Sequence, residues 1–130
     1  MLPRLCVILG GILGASGVGL GAYQAHGLEK YLARQDLEPA VRARRLDNCG
    51  TAAKYQLFHA VALVALAALA RQAPSRSLTI VASLFVVGVA AFSGGLYLIV
   101  FTGHALHWAI VPAGGILLIA GWLALATAKA

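Results

Sequence analysis

Four histidines are the residues of this chain with the most suggestive chemistry, because a neutral imidazole can bind a metal ion. Zinc and copper take imidazole nitrogens readily, and two histidines can hold a haem iron. If apolar helices thread back and forth, all four histidines fall toward one end of the protein. The candidate polar or ligand-binding layer at that end comprises His26, His59, His104, His107, Tyr23, Gln24, Tyr55 and Gln56.

The same layer has a plainer interpretation, in which polar side chains at a helix end bond to backbone carbonyls and to one another. The histidines are not accompanied by a Cys-x-x-Cys, His-x-x-x-His or Glu-x-x-His spacing. The identity of any metal stays unknown, and we predict no cofactor. Residues 77–128 contain no Asp, Glu, Lys or Arg, which argues against a carboxylate proton relay. We assign no catalytic residue and predict that the protein is not an enzyme.

The elements that must position these side chains are long apolar runs. The chain is 61% hydrophobic and 11% charged, against about 25% charged in ordinary soluble domains. An uncharged apolar run of about 20 residues is long enough to cross a bilayer as a helix. Such runs predict helices over residues 5–27, 51–70, 78–101 and 108–127, with Lys129 at the end of the last. The predicted fold is all-α, a single integral membrane bundle of four antiparallel transmembrane helices over residues 1–130.

The connection over residues 28–50 is basic and differs from the two short connections that follow it. Apolar residues recur within it at Leu28, Tyr31, Leu32, Leu37, Val41 and Leu46. This pattern favours a short amphipathic helix on the membrane surface between helices one and two, with a solvated loop as the alternative. Three arginines in this connection are predicted to meet anionic lipid headgroups, namely Arg42, Arg44 and Arg45.

Glycines at helical spacing indicate how the helices pack. Between helices in lipid the hydrophobic effect is weak, so small residues stabilise packing by letting backbones approach closely. The predicted packing positions are Gly10, Gly14, Gly17, Gly21, Gly94, Gly95, Gly114 and Gly115. Packing within one subunit is favoured over an oligomer seam, although both can hold together.

The two cysteines, Cys6 and Cys49, lie toward opposite ends of the predicted bundle. A disulfide needs Cα atoms within about 7 Å of each other. We therefore predict that the two cysteines do not pair within one subunit.

Four segments, one from each predicted helix, together form a recognisable pattern. The histidine-bearing segments are Gly21-Ala22-Tyr23-Gln24-Ala25-His26-Gly27-Leu28 and Thr51-Ala52-Ala53-Lys54-Tyr55-Gln56-Leu57-Phe58-His59-Ala60. The other two are Phe92-Ser93-Gly94-Gly95-Leu96-Tyr97 and Pro112-Ala113-Gly114-Gly115. Together these segments resemble the domain-of-unknown-function 423 family of small membrane proteins, and the resemblance covers all four predicted helices. It implies a four-helix protein of a bacterial inner membrane or an organelle, and it implies no particular activity.

These observations predict an uncharacterised, non-enzymatic membrane component of the bacterial inner (cytoplasmic) membrane. Its expected partners are membrane lipid, further copies of itself in a homo-oligomer, or other membrane proteins. An oligomeric channel or transporter is one alternative, and a metal- or haem-binding protein using the histidine layer is another. The net charge of +6 does not indicate nucleic-acid binding, because the basic residues flank apolar runs.

Overall fold

The protein is built from helices, as the computed structural model of residues 1–128 shows. In chain order they are α1 (Leu2–His26), α2 (Leu28–Ala33), α3 (Pro39–Gln72), α4 (Arg76–Thr102) and α5 (Ile110–Ala126). The fold is 85% helical, and residues 1–128 form no strand, so the predicted all-α class is confirmed. Lys129, predicted to end the last helix, lies outside the described residues.

Three of the helices are long and apolar enough to cross a membrane, namely α1, α3 and α4. The fourth apolar helix, α5, has 17 residues. At 1.5 Å per residue it is about 25 Å long, slightly less than the 30 Å thickness of a typical hydrocarbon core. The structure therefore contains three candidate spans and one shorter apolar helix.

The largest departure from the sequence prediction is the start of α3, which lies at Pro39 instead of residue 51. Proline suits the first turn of a helix, where its missing N–H needs no partner. Leu46 and Cys49 continue the inward-facing pattern of the apolar run, and Cys49 is fully buried. The predicted basic connection is thus shorter than residues 28–50. The six-residue helix α2 occupies the first part of the segment where a surface helix was predicted.

The remaining helix ends have clear local causes. Ser75 caps α4, because its hydroxyl accepts a hydrogen bond of 3.2 Å from the backbone N–H of Leu78. Gly103 ends α4 in the left-handed conformation, with φ of 78°, which glycine adopts without steric cost. Pro112 lies in the first turn of α5, so it begins this helix without breaking its interior.

Helix α3 lies at the centre of the arrangement, with α1 on one side and α4 on another. The contacts between α1 and α3 run in opposite chain directions. Gly10 of α1 lies against Val64, near the end of α3, whereas Gln24 lies against Gly50. Helix α5 packs mainly on α4. The contacts of Gly10 and Gln24 make α1 and α3 antiparallel.

Small residues set the closest helix contacts. A Cβ atom added at Gly10 would lie 2.9 Å from the backbone oxygen of Ala60, so α1 and α3 can approach this closely only with glycine there. An added Cβ at Gly114 would collide with the backbone of Phe92, so α5 lies directly against α4. Of the eight predicted packing glycines, seven face a neighbouring helix, and Gly94 is the exception, since an added Cβ there would meet no atom within 4 Å.

Buried apolar side chains form two separate clusters. The larger cluster joins α1, α3, α4 and α5 and includes Cys6, Phe85 and Leu118. The smaller cluster contains Leu28, Leu32, Cys49 and Val100. We call the part of the protein around this second cluster the polar cap; it comprises α2, residues 39–49 of α3 and the end of α4. The two cysteines are free and lie in different clusters.

Candidate functional site

The structure does not bring the four histidines into one layer. His26, His104 and His107 are exposed at the same end of the protein, on the last turn of α1 and in the connection between α4 and α5. His59 is 3% exposed and lies at the level of Gly14 and Gly17 of α1. At 1.5 Å per residue, this level is about 15 Å along the helix axis from His26.

The two histidines of the α4–α5 connection make local hydrogen bonds. The Nδ1 atom of His104 lies 2.8 Å from the backbone oxygen of Thr102, and the Nδ1 atom of His107 accepts a bond from the N–H of Ala109. Both bonds join residues two positions apart in the chain. They shape the turn that leads into α5.

His59 uses both of its ring nitrogens within the protein. Its Nε2 atom lies 3.0 Å from the indole Nε1 of Trp122. An indole N–H can only donate, so Nε2 must accept and the ring proton must be on Nδ1. The Nδ1 atom lies 2.7 Å from the backbone oxygen of Tyr55, to which it donates. The geometry thus assigns a neutral imidazole with one tautomer, and it leaves no nitrogen lone pair for a further ligand.

Aromatic rings surround the His59 imidazole. Phe85 of α4 meets it edge to face, with ring centroids 5.0 Å apart. The Trp122 ring lies 5.1 Å from Phe85 and 5.8 Å from His59. Tilted and edge-to-face contacts of this kind place the positive edge of one ring on the negative face of another. The cluster ties α5 and α4 to the middle of α3.

Two further polar side chains, one on α3 and one on α4, form hydrogen bonds at the same part of α3. The amide Nε2 of Gln56 donates to the backbone oxygen of Leu13 at 2.8 Å and to the hydroxyl of Ser16 at 2.7 Å. The buried hydroxyl of Ser93 on α4 donates to the backbone oxygen of Ala52 at 2.9 Å. Segment 52–59 of α3 therefore bonds to α1, α4 and α5, and we call it the hub segment.

The sequence did not reveal the partners of the hub segment. Ser16, Ser93 and Trp122 belonged to no predicted site. The structure places the indole N–H of Trp122 on His59, because α5 lies close enough to α3 for the contact. Of the predicted layer, Tyr55, Gln56 and His59 belong to the hub segment. Tyr23 is exposed near Phe101, and Gln24 lies against Gly50.

The arrangement of donors favours structural hydrogen bonding over metal binding. Within residues 1–128, no three His, Cys, Asp or Glu side chains are grouped so that they could hold a metal ion. His59, the most deeply placed histidine, already has a partner on each nitrogen. The hydrogen bonds of the hub segment can fix the register of α1, α4 and α5 against α3.

The three arginines predicted to meet lipid headgroups occupy different environments. Arg45 lies inward, where its Nη1 donates to the backbone oxygen of Val100 at 3.4 Å and to Gln35 at 3.3 Å. This cation at the end of α4 also opposes the negative end of the helix dipole. Arg42 is partly buried and Arg44 is exposed. Of the three, Arg44 is the exposed one and is therefore the most open to a headgroup.

An all-α chain with three helices able to cross a bilayer, joined by hydrogen bonds between helices, is an integral membrane protein. The family model described as "Protein of unknown function (DUF423)" matches residues 20–115. The chain belongs to this family, and the resemblance seen in its sequence is confirmed.

Similar proteins from several bacteria cover nearly the whole chain. A protein named UPF0382 membrane protein SSP2132, from Staphylococcus saprophyticus, is 34% identical and aligns with 94% of this chain and 93% of its own length. YwdK of Bacillus subtilis is 32% identical over 96% of this chain and 95% of its own length. The Escherichia coli inner membrane protein YgdD is 32% identical over 94% and 86%. No solved structure gives a significant match.

Proposed function

We propose that this protein is a non-enzymatic membrane component that acts by helix association, with a second copy of the chain as its first partner. The observation that carries the proposal is an open face of α1 formed by Gly11, Ala15 and Gly19. These residues are four positions apart, so they lie on one side of the helix. All three are exposed. Small residues at this spacing are the usual contact surface of associating membrane helices.

Helix α1 carries two faces of small residues, and only one of them is used within the subunit. Gly10, Gly14, Gly17 and Gly21 face α3. A Cβ atom added at Gly11 or Gly19 would meet nothing within 4 Å. Glycine lowers helix propensity by about 1 kcal/mol relative to alanine, so an unused glycine face is a cost that association would offset.

The proposal includes a membrane crossing by α5 together with α1, α3 and α4, which gives a bundle of four antiparallel spans. Contacts along the whole of α5 support it, since Gly95 of α4 lies against Val111 and Phe85 lies against Gly121. We place the protein in the bacterial inner membrane, in line with the name of the Escherichia coli relative.

The two alternative functions have less support. A channel needs a polar path, whereas the polar side chains of the hub segment are engaged in bonds between helices. A metal or haem site would need His59 to exchange an existing hydrogen bond for a ligand. Helix association requires no such rearrangement.

The test compares two glycine substitutions of equal size. Gly19→Ile fills the open face of α1, whereas Gly94→Ile fills an equally open position on α4. In native mass spectrometry from detergent micelles we expect a dimer for the original chain. Gly19→Ile should weaken it by about tenfold, or about 1.4 kcal/mol. Gly94→Ile should leave it unchanged. A strictly monomeric original chain, or equal effects of both substitutions, would contradict the proposal.

A further inference from the structure

A groove opens between α3 and α5 on the outer surface of the helix bundle. Its volume is about 520 Å³. The side chains that line it are Lys54, Tyr55, Phe58, His59, Val61 and Trp122. Phe58 is 60% exposed and Val61 is 70% exposed, although both lie within the apolar part of α3. The groove therefore faces hydrocarbon, and an occupant would enter it from the bilayer.

One end of the groove is cationic and the rest is apolar. Among residues 1–128, Lys54 is the only charged residue in the lining. All four carboxylates of the chain precede it, at Glu29, Asp36, Glu38 and Asp47. The ring nitrogens of His59 and the indole N–H of Trp122 are bonded to protein partners. Apart from the Tyr55 hydroxyl, the groove below Lys54 thus offers aromatic and aliphatic surface, which suits an acyl chain better than a polar ligand.

The depth of Lys54 matches the headgroup end of a lipid. In the structure Lys54 lies four turns inside α3 instead of one turn from its start, because α3 begins at Pro39. Lys54 lies five residues before His59, or about 7.5 Å along the axis toward the polar cap. A lysine side chain at this depth stretches toward the headgroups and keeps its ammonium near phosphate.

We propose that this groove binds one anionic phospholipid. Its phosphate pairs with the Lys54 ammonium, and one acyl chain lies along Phe58, Val61 and Trp122. A negatively charged headgroup is inferred because the Lys54 ammonium is cationic and no carboxylate side chain of residues 1–128 lines the groove. The site lies on α3 and α5, so it is independent of the open face of α1 and of any dimer.

The chain has only two tryptophans, and this allows a direct test. Trp108 is 79% exposed and does not line the groove, so Trp108→Phe leaves Trp122 as the single tryptophan, which is excited selectively at wavelengths that tyrosine does not absorb. This variant is placed in vesicles containing brominated phosphatidylglycerol or brominated phosphatidylcholine, and quenching of Trp122 is compared. We expect phosphatidylglycerol to be preferred by about fivefold at the groove, as for one lysine beside an anionic headgroup.

The variants assign this preference to Lys54. Lys54→Gln should reduce the ratio of the two lipids to about one, whereas Lys54→Arg and the control Arg44→Gln should keep it. Arg44 is exposed on the polar cap and tests for a general effect of lost charge. If Lys54→Gln does not fold, retention of the preference by Lys54→Arg and its loss at high salt support the site. Equal quenching by both lipids in the parent, or an unchanged preference in folded Lys54→Gln, would overturn the proposal.

Discussion

The hub segment and the polar cap hold their helices together by different means. The hub joins three helices through Gln56, His59 and the backbone oxygen of Ala52, among glycines and apolar side chains. The cap instead encloses a small cluster of leucines, with Leu28 and Leu32 fully buried. Burial of apolar side chains stabilises a fold only where it removes them from water. It can therefore drive folding of the polar cap, but it contributes little between helices that are already in lipid.

Apolar side chains are buried in both regions, but the hub segment adds hydrogen bonds between helices. In hydrocarbon a few hydrogen bonds and close glycine contacts give the helices a defined register. In the cap the helix ends need satisfied carbonyls as well. Arg45 donates to Val100, and the hydroxyl of Tyr31 lies 3.4 Å from the backbone oxygen of Phe101. The comparison predicts that equal substitutions have unequal effects in the two regions.

The largest effect is expected from blocking the closest contact between membrane helices. Gly114→Val introduces a Cβ atom that collides with the backbone of Phe92, which cannot give way as a side chain could. We expect a loss of more than about 3 kcal/mol, measured as thermal unfolding in detergent. Gly94→Val is the matched control, because its position is open. Equal melting temperatures for the two variants would show that close packing is not what joins α4 and α5.

A smaller effect is expected from truncating a leucine in the cap. Leu32→Ala should cost about 2.5 kcal/mol, because it leaves a cavity in a cluster formed by displacing water. Hydrogen exchange should quicken in α2 and in residues 39–49, with little change in the membrane part of α4. Leu123→Ala, on the exposed side of α5, should have almost no effect. Comparable losses from both substitutions would mean that the two regions share one source of stability.

The smallest of the three effects is expected at His59. His59→Leu removes the acceptor of the Trp122 N–H and should cost about 1 kcal/mol, the usual scale of a hydrogen bond between membrane helices. The Trp122 emission should shift, as measured in the Trp108→Phe background. His107→Leu changes an exposed loop residue and should have a smaller effect. If the two leucine variants melt at the same temperature, the His59 contact does not stabilise the bundle.

Much of the fold is readable in the sequence because uncharged apolar runs have one stable form in lipid. The predicted ranges for α1 and α4 differ from the structure by at most three residues at either end. The start of α3 was misplaced because the charges of residues 42–47 outweighed a helical pattern that continues through Leu46 and Cys49. Charged residues indicate where the chain leaves the hydrocarbon, but a helix can continue beyond that point.

The candidate site was harder to predict than the helices. Glycine spacing identified seven contact positions, because a glycine in a membrane helix often indicates where a neighbouring helix approaches closely. The pairing of His59 with Trp122 depends on how α5 is placed on α4 and how α4 is placed on α3. No local pattern in the sequence encodes that register. The histidines were therefore grouped by chain threading, and the structure separates them by depth.

The burial of both thiols has a practical consequence. Cys6 is 1% exposed and Cys49 is fully buried, so maleimide reagents should leave the folded protein unlabelled. A single cysteine introduced by Arg44→Cys would then be the sole reactive handle in intact cells or sealed vesicles. Its modification by an impermeant reagent from one compartment, and protection from the other, would reveal on which side of the membrane the charged end resides.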